Sequence, residues 1–181
     1  MHRSERAEKI SGRQGFEQYY AALYGERWPA LKSALSGEAQ YAEWNAGGTE
    51  KYYLDTASVC AAVSLPLSGA ERILDLCAAP GGKTLVLASL MSRTAELVSN
   101  ERSPERRLRL SHVCDSCLTP DIRSRVTITC SDGAKWCTRQ AECYDAVLLD
   151  APCSSERHVL SDEKYLSQWT PSRIKTVAME Q

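Results

Sequence analysis

The sequence has no long apolar segment, no strong net charge and no regular spacing of its cysteines. No apolar run reaches the roughly 18 residues that a membrane-spanning helix needs. The formal net charge of −1 argues against a surface that is basic overall. The eight cysteines are irregularly spaced and follow no recognisable secretion signal, which favours reduced thiols over a disulfide framework. We therefore expect no membrane association and a reducing compartment inside a cell.

The cysteines also lack the spacing of a complete zinc site. Cys114 and Cys117 have the spacing of a zinc-ligand pair, but no second pair of cysteines or histidines accompanies them. We therefore expect no metal site. The length of 181 residues, 43% of them hydrophobic, suits one globular domain with a short appendage.

Aromatic residues recur at helical spacing near the N-terminus, at Phe16, Tyr19, Tyr20 and Tyr24. A stripe of this kind is more often part of a core than a surface that stacks bases. Residues 37–48 have no apolar period and indicate a linker, whereas residues 52–65 predict a helix that ends before Pro66. We therefore divide the chain into a helical appendage with its linker, residues 1–48, and a main domain, residues 49–181.

The most informative stretch is an apolar strand that runs into a glycine turn and then into a helix, at residues 73–90. Glycines let a ligand approach the backbone, and the helix N-terminus offers unpaired N–H groups. A phosphate-binding loop would need glycine in place of Cys77, and the glycine spacing does not fit a dinucleotide fingerprint. A cofactor with a nucleoside and no pyrophosphate remains, for which S-adenosylmethionine is the natural candidate.

Three further predicted strands, at residues 95–100, 125–130 and 144–150, alternate with helices. This alternation predicts an α/β fold with a doubly wound, mainly parallel sheet that binds ligands at the carboxyl ends of its strands. Glu101 stands at such an end, twenty residues after Gly81, where an acidic side chain accepts hydrogen bonds from ribose hydroxyls. Asp132 precedes a glycine after the next strand and is either an acceptor for an adenine amino group or part of an ordinary turn.

A thiol, Cys153, follows the last predicted strand, three residues after Asp150. Methylation of a pyrimidine at carbon 5 requires a nucleophile to add first at carbon 6, and a cysteine thiolate suits that step. Asp150 is then placed to hold and protonate the edge of the base. A purely structural cysteine is the less favoured interpretation at this position.

Four motifs resemble the Nol/Nop/Sun-domain RNA cytosine-5 methyltransferases: DLCAAPGGKT at 75–84, SPER at 103–106, DG at 132–133 and DAPC at 150–153. Residues 16–35 and 52–54 look most like the branch that methylates ribosomal RNA in mitochondria. The resemblance implies a Rossmann-like S-adenosylmethionine-dependent methyltransferase fold and RNA, with ribosomal RNA as its class, as substrate. It leaves room for a protein partner that delivers the RNA, and it implies a location in the cytoplasm or the mitochondrial matrix.

The resemblance also implies which residues contact S-adenosylmethionine: Gly81, Gly82, Lys83, Glu101, Arg106, Asp132, Gly133 and Asp150. From the same turn we add Cys77, Ala78 and Pro80. Glu101 stands where the family more often has aspartate, a change that keeps the carboxylate.

The family is known to use two cysteines, one in a Pro-Cys motif that helps release the product and one in a later Thr-Cys motif that attacks the base. Cys153 matches the first motif. Thr129-Cys130 has the residues of the second motif, but it lies upstream of Cys153 on a predicted strand, so we interpret the match as a coincidence. We therefore expect a C-terminally truncated sheet without the attacking thiol. Two alternatives stay open: a non-catalytic RNA- or ribosome-binding protein that keeps the cofactor pocket, and a nucleotide-dependent enzyme that uses Lys83 and Thr84.

Overall fold

A computed structural model describes residues 10–138 and 140–181, which form two compact units. One unit, residues 39–151, is built around a parallel sheet, and the other, which joins residues 152–181 to the N-terminal helices, is helical. The division of the chain at residue 48 stays a prediction, because compactness does not test which segments fold on their own.

The elements are numbered in chain order. The helical unit contributes α1 (Gly12–Tyr24), α2 (Trp28–Ser36), α7 (Glu156–Ser161), α8 (Glu163–Ser167) and α9 (Pro171–Glu180). The sheet unit contributes β1 (Tyr41–Trp44), β2 (Tyr52–Asp55), α3 (Thr56–Val63), β3 (Arg72–Asp75), α4 (Gly82–Leu90), β4 (Glu96–Asn100), α5 (Pro104–Cys117), α6 (Pro120–Ser124), β5 (Val126–Thr129) and β6 (Ala146–Leu148). Short 3₁₀ turns cover Gly25–Arg27 and Gly133–Thr138.

The parallel sheet of the described residues has the strand order β5-β4-β3-β6. From β3 the chain adds β4 and β5 on one side and then returns to add β6 on the other, which is the doubly wound arrangement that the sequence predicted. The carboxyl ends of β3 and its two neighbours meet at the point where the strand order reverses, where such sheets bind ligands. The α/β fold is confirmed.

Burial on consecutive positions shows that the middle of the sheet is covered on both faces. Ile73 and Leu74 of β3 are both buried, as expected of a central parallel strand. In α4 the consecutive residues Leu85, Val86 and Leu87 are fully buried, so this helix lies inside the unit. The turn between β3 and α4 is therefore held between two buried elements.

The N-terminal part of the sheet unit differs from the sequence-based expectation. Residues 41–44, predicted as linker, form β1, and residues 52–55, predicted as the start of a helix, form β2, which pairs with β1 in antiparallel fashion. Four-residue strands are too short to produce a clear period. Packing explains them, because Leu54 is buried and Trp44 packs against the core and donates its indole N–H to Ser89 Oγ at 3.0 Å.

The helical unit has its own aromatic core. Phe16 and Tyr20 of α1 are buried against Trp28, and Trp169 from the C-terminal segment lies with its ring centroid 5.4 Å from that of Phe16. The predicted core role is confirmed for Phe16 and Tyr20, whereas Tyr24 is 40% exposed. Among the described helices, none combines the length and the apolar character that crossing a membrane requires.

Candidate functional site

The glycine turn after β3 needs both of its glycines. Gly81 has a φ of +120°, which residues with a side chain rarely adopt, and an added Cβ would stand 3.0 Å from Val113 Cγ1. A Cβ on Gly82 would stand 2.9 Å from Tyr52 Cε1. The turn is thus closely packed between α5 on one side and β2 on the other.

A cleft of about 220 Å³ runs along this turn. Most of the predicted cofactor residues line it: Cys77, Ala78, Pro80, Gly82, Lys83 and Asp150. At its wall Lys83 Nζ lies 2.7 Å from Asp150 Oδ2 and donates to Ser58 Oγ at 3.0 Å. The sequence singled out Lys83 and Asp150 but gave no sign of this ion pair, which fixes the carboxylate that follows β6.

Glu101 lies beside the turn, as its position after β4 led us to expect. Its carboxylate is buried and accepts the backbone N–H of Ser103 at 2.9 Å. Arg106 bridges the two segments, because its Nη1 lies 3.2 Å from Glu101 Oε2 and its Nη2 donates to the carbonyl of Ala79 at 2.7 Å. Contact of either side chain with a cofactor stays a prediction.

Asn100 is the structurally important residue that sequence reasoning missed. It is 1% exposed, and its Nδ2 donates to the carbonyls of Leu76 and Ser131, both at 3.0 Å. Its Oδ1 accepts from Thr129 Oγ1 and from the Ser131 N–H, both at 2.9 Å. A single amide therefore ties together the segments that follow β3, β4 and β5, with all four of its hydrogen-bonding positions in use.

Asp132 and Gly133 do not line the cleft along the glycine turn, although Gly133 lies next to Leu76, which directly follows β3. Asp132 lines a second cleft, of about 360 Å³, together with Cys130 and Trp136. Its Oδ1 accepts the N–H of Ala134 at 3.2 Å, so the ordinary-turn interpretation also describes it. A Cβ on Gly133 would stand 3.3 Å from Leu76 Cγ, closer than an ordinary van der Waals contact.

Cys153 is exposed and belongs to the helical unit, where its Sγ lies 3.7 Å from Ser155 Oγ. The thiol is therefore not buried in a core, and its relation to the cleft stays a prediction. Cys114 is different, because burial raises the pKa of its thiol to about 12 and leaves it unreactive. Within residues 10–138 and 140–181, no three histidine, cysteine or acidic side chains come together as a metal site would require.

Asp75, at the end of β3, is fully buried, and burial raises its pKa to about 6. Thr84 Oγ1 donates to its Oδ2 at 2.7 Å, and in the described part of the chain its Oδ1 has no donor. With Glu101 and Asp150, the site has three carboxylates against two cations, Arg106 and Lys83, both of which are already paired. Such a site fits a ligand with hydroxyl, amino and cationic groups, and it repels a triphosphate.

The raised pKa of Asp75 gives a pH dependence of stability. Between about pH 4 and pH 6 the folded protein keeps a proton on Asp75 that the unfolded chain, with its ordinary pKa of about 3.9, has lost. Asp75 thus favours folding most below about pH 4, and this contribution falls as the pH rises to about 6. We measure the free energy of unfolding in urea for the unchanged chain and for the Asp75→Asn variant. As the pH rises from 4 to 7, this free energy should increase in the variant, relative to the unchanged chain, by on the order of 2 to 3 kcal/mol. A difference that does not vary with pH would contradict this assignment.

The sequence of this chain is similar to those of known RNA methyltransferases. A family model described as 16S rRNA methyltransferase RsmB/F matches residues 62–181. The chain is 40% identical over 120 residues to the 5-cytosine rRNA methyltransferase NSUN4 of Bos taurus, which covers 65% of this chain and 31% of the relative. It is 39% identical over 113 residues to a mitochondrial tRNA (cytosine(34)-C(5))-methyltransferase of Danio rerio, which covers 61% of this chain and 30% of the relative.

The fold is also found in the crystal structure of PH0851. That structure has a TM-score of 0.66 and 16% sequence identity, and the match covers 97% of this chain and 52% of the other. The chain spans about a third of the length of the two curated relatives. The resemblance that the four motifs carry is confirmed, and the chain belongs to the 16S rRNA methyltransferase RsmB/F family.

Proposed function

We propose that this chain binds S-adenosylmethionine and is the cofactor-binding part of an RNA (cytosine-5) methyltransferase that acts on ribosomal RNA. The observation that carries the proposal is the bridge through Arg106, which holds the buried Glu101 carboxylate against the glycine turn. Because the chain spans about a third of its curated relatives, methyl transfer is proposed for the whole protein.

The residues around the turn fit each part of the cofactor. Glu101 would accept hydrogen bonds from the ribose hydroxyls, and the backbone from Cys77 to Gly82 would lie along the nucleoside. Asp132 would accept the adenine amino group at the next strand end. When bound, S-adenosylmethionine supplies an electrophilic methyl group on a sulfonium.

Two side chains are proposed to act on the target base. Asp150, fixed by its ion pair with Lys83, would hold the edge of the base as a hydrogen-bond acceptor, because a carboxylate in an ion pair has no proton to give. Cys153, an exposed thiol, would help release the product, as the Pro-Cys cysteine does in the family that the chain resembles. In that scheme a second thiol attacks carbon 6 of the cytosine.

Ribosomal RNA is the favoured substrate because the family model and the NSUN4 relative are both named for it. The Danio rerio relative is named for tRNA, so tRNA is the comparison substrate in any assay. We further propose that the protein works in the mitochondrial matrix or the cytoplasm, with a protein partner as one route of RNA delivery.

Isothermal titration calorimetry tests cofactor binding. The unchanged chain should bind S-adenosylmethionine and not ATP. The Glu101→Gln variant should bind it about tenfold or more weakly, because the carboxylate that accepts the ribose hydroxyls and pairs with Arg106 is lost. Glu105→Gln is the matched control. Glu105 is an exposed carboxylate in the first turn of α5, so this variant should leave binding unchanged. Equal affinity of Glu101→Gln and the unchanged chain, or preferential binding of ATP, would refute the proposed cofactor site.

Methyl transfer and the role of Cys153 are tested on the whole protein with labelled S-adenosylmethionine. Methyl groups should be incorporated into cytosines of ribosomal RNA faster than into cytosines of tRNA. The Cys153→Ala variant should accumulate a covalent protein–RNA adduct, visible on a denaturing gel, because product release is blocked. Cys130→Ala, which removes an exposed cysteine directly after β5, should accumulate none. Absence of any adduct in Cys153→Ala would instead make Cys153 the attacking thiol.

A further inference from the structure

The β1–β2 hairpin presents two tyrosines on its outer face. In its register Tyr41 is opposite Asp55 and Glu43 is opposite Tyr53, so these four side chains share one face, while Leu54 faces the core. Tyr41 is 66% exposed and Tyr53 is 62% exposed. The two tyrosines are diagonal neighbours across the strands, a separation that aromatic side chains bridge.

Tyr53 is exposed but held in place. Its hydroxyl donates to Glu43 Oε2 at 2.8 Å, and Lys51 Nζ lies 2.7 Å from the other oxygen of the same carboxylate. A ring that is already fixed loses less conformational entropy when a ligand binds to its face. The hairpin therefore offers a preorganised aromatic surface.

This surface is continuous with the candidate site. Tyr41 and Tyr53 line the same cleft as Lys83 and Asp150, and Asp150 is proposed to hold the target base. A group that rests on the tyrosine rings therefore lies at the wall of the cleft where the chemistry is proposed. Glu43 on this face is paired with Lys51, and the nearby Asp55 carboxylate leaves the face with a net negative charge, so the rings suit a base rather than the RNA backbone.

We propose that Tyr41 and Tyr53 form a stacking platform for an unpaired base of the RNA substrate, adjacent to the target nucleotide. The proposal rests on the proposed function. Proteins that recognise single-stranded RNA splay its bases onto aromatic rings of sheet surfaces, and such stacking tolerates any base because every base has a π-face. Tyr41 and Tyr53 therefore contribute to affinity and positioning rather than to sequence specificity.

Fluorescence anisotropy with a labelled, short single-stranded RNA that contains cytosine tests the platform. The Tyr41→Ala/Tyr53→Ala double variant should bind the RNA about tenfold or more weakly than the unchanged chain. The Tyr41→Phe/Tyr53→Phe variant keeps both rings and should bind close to normally. Tyr165→Ala, which removes an exposed tyrosine of α8, is the matched control and should bind normally. Affinity for S-adenosylmethionine, measured on the same variants, should fall by much less than their affinity for RNA.

The outcomes separate this inference from the function on which it rests. Normal RNA binding by the double alanine variant would overturn the platform and leave the proposed function intact. If the phenylalanine variant loses as much RNA affinity as the alanine variant, stacking is overturned, and the tyrosine hydroxyl groups bind the RNA instead. Absence of RNA binding by the unchanged chain, with S-adenosylmethionine still bound, would overturn both the platform and a direct RNA contact of this chain.

Discussion

The candidate site depends on the hydrogen bonds of the Asn100 side-chain amide. Its four hydrogen bonds join the segments that follow β3, β4 and β5. These segments carry the glycine turn, Glu101 and Asp132, which are far apart in the chain. Because Asn100 is buried, loss of any of these bonds would leave a polar group without a partner, which strongly favours a single arrangement. The strand ends are thus held in one geometry before any ligand binds.

Charge then selects the kind of ligand that this geometry suits. Asp75, Glu101 and Asp150 all follow or end strands of the same sheet, and the two nearby cations are already paired, Lys83 with Asp150 and Arg106 with Glu101. A ligand with many negative charges is repelled, whereas hydroxyl, amino and sulfonium groups find acceptors. The raised pKa of Asp75 has the same origin, since burial of a carboxylate without a cationic partner disfavours its ionised form. Sequence motif and electrostatics therefore point to one class of cofactor.

The sequence predicted those parts of the fold that local patterns encode. The apolar strand before Gly81, the alternation of strands and helices and the acidic residue after β4 all left such patterns. The role of Asn100 did not, because its partners are set by the strand order, which a single sequence does not reveal. The pairing of Lys83 with Asp150 and the packing of Trp169 against Phe16 could not be predicted either, because each joins residues that are distant in the chain. The β1–β2 hairpin was missed because its strands are four residues long and their period-2 pattern is too brief to recognise.

In the proposed complex, S-adenosylmethionine contacts the segments after β3, β4 and β5 at the same time. Hydrogen–deuterium exchange of the whole chain, followed by mass spectrometry with and without S-adenosylmethionine, reports on all three segments. Backbone amides in residues 77–83, 101–103 and 131–133 should become protected together when the cofactor is added. Protection confined to one of these segments, or found only elsewhere in the chain, would show that the three strand ends do not share one cofactor site.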